Sequence, residues 1–182
     1  MIKKVMIVDD EEIIIKGLYK IIDWNDLGME IVCSAFSGEE AYTLACNNKP
    51  DIIITDIKMY DVSGLDFGEK YLKINPNCKI IALSGYLEFK YAQRAINSGF
   101  FGFLSKPLDK KEFIEILKSA SISIDKDRIR EKTICYYSHS LRHEANYLSS
   151  CLIGDDLGND DLENIKKYFP IDLDFNLGDD HD

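Results

Sequence analysis

The sequence predicts an α/β fold: a doubly wound, five-stranded parallel sheet followed by a long C-terminal helical extension. Three observations carry that reading. The stretch Asp51-Ile52-Ile53-Ile54-Thr55-Asp56 sets an unbroken isoleucine run between polar residues, the pattern of a strand buried on both faces. Four more apolar strand-like runs alternate with segments of helical spacing over residues 1–121, which is how right-handed crossovers build a parallel sheet. Several of those runs also end on residues that can do chemistry, at the edge where open α/β sheets bind their ligands.

The elements follow in order. Val5-Met6-Ile7-Val8 is the first strand and stops at Asp9-Asp10-Glu11-Glu12. Those acids also suit a helix N-terminus, and Ile13 to Ile22 continues at helical spacing. Asp23 to Gly28 is turn chemistry, and Glu30 to Phe36 is the second strand. Ser37-Gly38-Glu39-Glu40 opens a helix through Ala41, Leu44 and Ala45 that ends before Pro50. The central strand comes next, then a helix from Gly64 to Ile74 broken at Asn75-Pro76-Asn77. Lys79 to Leu83 is the fourth strand, ending at Ser84-Gly85. Phe89 to Ile96 is a helix closed by Asn97-Ser98-Gly99, and Phe100 to Leu104 is the fifth strand, ending at Ser105-Lys106-Pro107. Asp109 caps the last helix.

In a parallel sheet the strand ends share one rim, so Asp9, Asp10, Asp56, Ser84 and Lys106 converge there. Adjacent carboxylates repel unless a hard cation neutralises them, and carboxylate oxygens are ligands that Mg²⁺ prefers. A divalent ion on Asp9, Asp10 and Asp56 can clamp an incoming phosphoryl group. Asp56 is then a carboxylate nucleophile that forms an acyl phosphate. Lys106 supplies a point charge to phosphoryl oxygens, and Ser84 a hydrogen bond.

These residues resemble the receiver domain of two-component response regulators, a flavodoxin-like fold. The resemblance covers residues 3–121. It implies a phosphoacceptor at Asp56, an acidic metal pair at Asp9 and Asp10, and a third metal ligand in the Lys58 backbone carbonyl. It places the switch hydroxyl on Ser84, the essential lysine on Lys106, and a rotamer-switching aromatic on Phe103. It also implies a cis Lys106-Pro107 peptide and a sensor histidine kinase as partner. Phe103 lacks the hydroxyl a tyrosine would bring. The family usually has proline four residues after the acceptor. Tyr60 stands there, which leaves the loop Met59-Tyr60-Asp61-Val62-Ser63 with less built-in rigidity.

Beyond the receiver the last helix does not stop. Phe113, Leu117, Ala120, Ile124, Ile134, Leu141, Ala145, Leu148 and Leu152 share one three–four spacing that also takes in Asp127, Glu131 and Ser138. That register predicts one helix from about 109 to 152, ended by Gly154. A second chain would pair along its far half, and the two carboxylates would weaken the seam midway. The rival is a helix that folds back on its own receiver. Residues 122–153 are thus expected to be a helical linker that continues the fifth helix as a coiled coil, and 154–182 the start of an incomplete second domain with an acidic tail. A short helix at 160–168 and a strand at 171–177 cannot close a core. The layout resembles regulators that end in an AraC-type DNA-binding domain, so DNA contact is expected only through an output domain outside these residues.

Composition bounds the alternatives. Hydrophobic residues make up 46 % and charged residues 30 % of the 182, ordinary for a globular chain. No run is long enough to span a membrane and the start has no signal-peptide layout, so a cytoplasmic protein is expected. The net charge of −10 sits mostly in 153–182, and no basic patch suggests nucleic-acid binding. Cys33, Cys46, Cys78, Cys135 and Cys151 show no CxxC spacing and read as free thiols. His139 and His143 have zinc spacing but no third ligand, and read as a solvated helix face. Two other functions use the same groups. An aspartyl-phosphate-type phosphatase needs a second acid two residues after the nucleophile, and Lys58 stands there. A phosphorylation-independent binding module would need no Mg²⁺.

Overall fold

A computed structural model describes residues 2–85 and 89–153, with side chains through 134 except that of Phe89. The elements alternate as predicted: β1 (Lys3–Val8), α1 (Glu12–Ile21), β2 (Met29–Ala35), α2 (Gly38–Asn48), β3 (Ile52–Asp56), α3 (Gly64–Leu72), β4 (Lys79–Ser84), α4 (Phe89–Asn97), β5 (Gly102–Ser105) and α5 (Lys110–Ile153). A 3₁₀ turn at Asn25–Leu27 joins α1 to β2. The sheet is wholly parallel, in the order β2-β1-β3-β4-β5. The order reverses between β1 and β3, the switch point where doubly wound sheets open a crevice.

Alternation along each strand divides two cores. Val5 and Ile7 of β1, with Ile52 and Ile54 of β3, pack under α1 and α5. Met6, Val8 and Ile53 face the other way, toward α2 and α3. Both faces of β3 are therefore covered, and none of its five residues is exposed. The helices are fixed by local chemistry as well as by packing. Ser37 caps α2 by accepting from the Glu40 N–H, and Ser63 caps α3 by accepting from the Asp66 N–H. The Tyr71 hydroxyl of α3 donates to the Ala45 carbonyl of α2 at 3.1 Å. Strand ends differ slightly from expectation. β1 starts at Lys3, because its backbone already pairs with β2: Lys3 lies opposite Met29 and its N–H donates to the Gly28 carbonyl at 2.9 Å. β5 starts at Gly102, because the Phe100 N–H still closes the end of α4 on the Ala95 carbonyl.

The chain divides into two units, Met1–Arg130 and Glu131–Asp182. In the first, the near half of the α5 stripe is core of the receiver itself. Phe113, Leu117 and Ala120 are fully buried and Ile124 nearly so, with Phe113 edge-on to Trp24 at 6.0 Å between ring centroids. Each of the large side chains contributes roughly 2 kcal/mol by leaving water. Over 113–124 the stripe therefore packs on the receiver's own sheet. Asp127 also differs from its expected part as a weak seam position. It pairs with Lys79 at 2.6 Å, while Lys3 pairs with Asp125 and Arg128 with Asp51. Three ion pairs therefore tie this stretch of α5 to the ends of β1, β3 and β4 opposite the carboxylate rim. Ile134, the next apolar position of the stripe, is exposed.

The side chains of Ser138, His139, Leu141, His143, Ala145, Leu148 and Leu152 lie outside the described residues, as do Cys135 and Cys151, the expected helix at 160–168 and the strand at 171–177. Among the described residues Cys33, Cys46 and Cys78 are free thiols, and no helix is long and apolar enough to cross a membrane.

Candidate functional site

Four strand ends build the site. In-register pairing of Val8 with Thr55, Asp56 with Leu83 and Ser84 with Ser105 brings the ends of β1, β3, β4 and β5 level. Asp9 follows β1 and is 1 % exposed. Its Oδ1 accepts from the Glu11 N–H at 2.9 Å, which fixes the carboxylate across the start of α1. Asp56 ends β3 and is 6 % exposed. Its Oδ2 accepts from the Lys58 N–H at 2.7 Å. The Lys106 ammonium bridges the two acids, 2.7 Å from Asp9 Oδ2 and 2.6 Å from Asp56 Oδ1. Lys106 is itself placed by its backbone, whose N–H donates to the Ser84 carbonyl at 2.7 Å, and the Lys106-Pro107 peptide is cis. Ser84 is buried at the same rim, and Asp10 is half-buried beside Asp9. Phe103 lies on β5 opposite Ala82, half-buried against the α2–α3 core.

The electrostatics follow from burial. Loss of water pushes the Asp56 carboxyl above its ordinary range; Lys106 and the Lys58 N–H oppose that, and the Asp9 charge adds to it. Burial acts to lower Lys106, but its hydrogen bonds to Asp56 and Asp9 outweigh it and raise the ammonium above the usual lysine value. Lys106 therefore stays a cation. Asp9, Asp10 and Asp56 still outnumber it. That surplus of hard oxygen donors fits Mg²⁺. Among the described residues no three acid, His or Cys side chains close into a cage. Mg²⁺ asks for none, since it is held by one or two carboxylates and keeps several waters. An apolar groove of about 430 Å³ opens beside Lys106, lined by Ile13, Ile14, Gly17, Pro107 and Leu108 among others.

Asp9, Asp56 and Lys106 thus meet in direct contact at one rim, and the Ser84 carbonyl holds the Lys106 backbone there. The loop that follows Asp56, short of built-in rigidity in the sequence, is held by contacts that the sequence did not point to. Gly64 closes it, with its N–H donating to the Ile57 carbonyl at 3.1 Å. Asp61 accepts from the Gly38 N–H at 3.3 Å, and the Lys58 ammonium sits 5.3 Å from the centre of the Tyr91 ring. The available signal for Asp61 was an acid just after the missing proline.

Residues 5–118 match the response regulator receiver domain family. The uncharacterized transcriptional regulatory protein YesN of Bacillus subtilis is 34 % identical over 144 residues, which is 79 % of this chain and 39 % of that protein. The chain spans less than half the length of the curated relatives it matches. The receiver domain of AraT, a response regulator from Geobacillus stearothermophilus, is similar with a TM-score of 0.66 at 37 % identity, covering 70 % of this chain and 99 % of that one. A chain of the CheX-CheY-BeF3-Mg²⁺ complex from Borrelia burgdorferi is similar with a TM-score of 0.60 at 27 % identity, covering 64 % and 87 %.

Proposed function

This chain belongs to the response regulator receiver family, and from that premise we propose that Asp56 takes a phosphoryl group from a sensor histidine kinase in a Mg²⁺-assisted transfer. The carrying observation is the Lys106 ammonium held at 2.7 Å from Asp9 and 2.6 Å from Asp56.

An Asp56 carboxylate oxygen attacks the phosphorus of the kinase phosphohistidine. The P–N bond breaks, its electron pair returns to the imidazole, and an acyl phosphate forms on Asp56. Asp9, Asp10, Asp56 and the Lys58 carbonyl would hold Mg²⁺, which would supply positive charge to the transferring oxygens. Lys106 stands within reach of the same oxygens and follows the charge from carboxylate to phosphoryl. The Lys58 N–H holds the second Asp56 oxygen, which orients the carboxylate for attack. Ser84 then donates to the phosphoryl group, and Phe103 changes rotamer as the Ser84 end of β4 is drawn in. The apolar groove beside Lys106 offers the kinase a surface next to the acceptor. A phosphatase is disfavoured because Lys58, facing Tyr91, replaces the second acid.

In the longer protein the modified receiver would control transcription through an output domain, with two chains pairing along the far half of α5. Acetyl phosphate with Mg²⁺ should label Asp56 stoichiometrically, and Asp56→Asn should abolish the label. A variant that still labels stoichiometrically removes the assignment. Light scattering with beryllium fluoride and Mg²⁺ tests the pairing: the mass of one chain in both states would exclude it.

A further inference from the structure

The β3–α3 connection carries two groups that the acceptor needs, the Lys58 carbonyl and the Lys58 N–H. Its ends are closed by the backbone. The Ile57 N–H donates to the Leu83 carbonyl at 3.0 Å, and the Gly64 N–H to the Ile57 carbonyl at 3.1 Å. Between those closures the sequence supplies nothing stiff. Tyr60 stands where the family has proline, and it is 100 % exposed, so neither a fixed φ nor packing restrains it.

The restraint comes from the next two residues. Asp61 Oδ1 accepts from the N–H of Gly38, the first residue of α2, at 3.3 Å. An anion is favourable there, because the first N–H groups of a helix point outward without partners. Desolvation acts to raise the Asp61 carboxyl, but backbone N–H groups of Gly38, Val62, Glu39 and Asp61 itself outweigh it and hold the group below the usual carboxylate range. Val62 makes the second contact. A Cβ at position 38 would lie 2.7 Å from both Val62 Cβ and the Val62 carbonyl oxygen, so backbone meets backbone here. The anchor is itself firm. Glu40 Oε2 accepts from the Phe36 N–H at 2.8 Å, and Ala41 and Ala45 of α2 are fully buried.

We propose that Asp61 is a positioning residue that stands in for the missing proline, tying the loop to α2 so that the Lys58 peptide groups keep register with Asp56 for Mg²⁺. The inference rests on the phosphoacceptor reading above.

The experiment is a Mg²⁺ titration of the full 182-residue chain, followed through the Lys58 and Met59 amide shifts, alongside acetyl phosphate labelling. Asp61→Ala should weaken Mg²⁺ binding about tenfold, in line with other residues that support metal ligands. Labelling should slow at low Mg²⁺ and recover at saturation. Asp61→Asn keeps an acceptor oxygen for the Gly38 N–H and should fall between. Adding Tyr60→Pro to Asp61→Ala should restore most of the affinity, which a general loss of stability would not do. Unchanged Mg²⁺ affinity in Asp61→Ala, or no recovery with Tyr60→Pro, overturns the proposal. A wild-type chain that binds no Mg²⁺ overturns the phosphoacceptor reading itself, and that result appears before any variant is compared.

Discussion

Replacing Gly64 by alanine tests the acceptor geometry without touching a charge. A Cβ at this position would stand 1.9 Å from the Asp56 carbonyl oxygen and 2.5 Å from Thr55 Oγ1. The first distance is short of ordinary contact by roughly 1.5 Å. Neither atom is the loose end of a side chain. One is the acceptor's own backbone. The other belongs to a fully buried threonine whose hydroxyl donates to that same carbonyl at 3.0 Å. The strain must therefore go into the first turn of α3 or into the placement of Asp56. Overpacking of this kind costs about 1–3 kcal/mol, with 2 kcal/mol lowering the melting temperature of a domain this size by roughly 5–10 °C. A reacting group displaced by about 1 Å loses on the order of a hundredfold in rate. Thermal unfolding without Mg²⁺ and the initial labelling rate by acetyl phosphate at saturating Mg²⁺ read the two effects separately. A variant that melts with the wild type and labels at its rate would refute the close approach.

Two further outcomes follow from the charges. Because the folded Asp56 pKa is raised, first by burial, its stability contribution is present below the unfolded value and lost as pH rises through the folded one. Without Mg²⁺, Asp56→Asn should therefore melt above the wild type at neutral pH, the gap closing toward pH about 4. The raised Lys106 pKa does not compete in that window, since its contribution is lost only above the ordinary lysine range. A wild type more stable than the variant at neutral pH contradicts this. At the other end of the sheet, a double-mutant cycle on Lys79 and Asp127, 2.6 Å apart and partly buried, should give a coupling of about 1 kcal/mol in urea unfolding. Strict additivity would show that α5 is not held there.

The fold and most of the site were legible in the residues because both depend on short-range rules. The Ile52–Ile54 run had to be covered on both faces, and a parallel sheet puts the residues after its strands on one rim. That placed Asp9, Asp56, Ser84 and Lys106 together without knowledge of any distance. Which face of β1 served which core was not legible, because Val5, Met6, Ile7 and Val8 are all apolar. The α5 stripe shows the limit more sharply. Periodicity says that Phe113, Leu117 and Ile124 share a face, but it does not say whether a sheet or a second helix covers that face. Here the sheet covers it, and Asp127, which read as a flaw in a seam, answers Lys79 from 48 residues away. Asp61 is the same case, with its partner Gly38 at a separation of 23. Helix propensity, strand burial and strand-end placement are settled within a few residues of chain. The partner that an apolar face or a lone charge meets is settled only when distant segments pack, and the tertiary structure alone decided those.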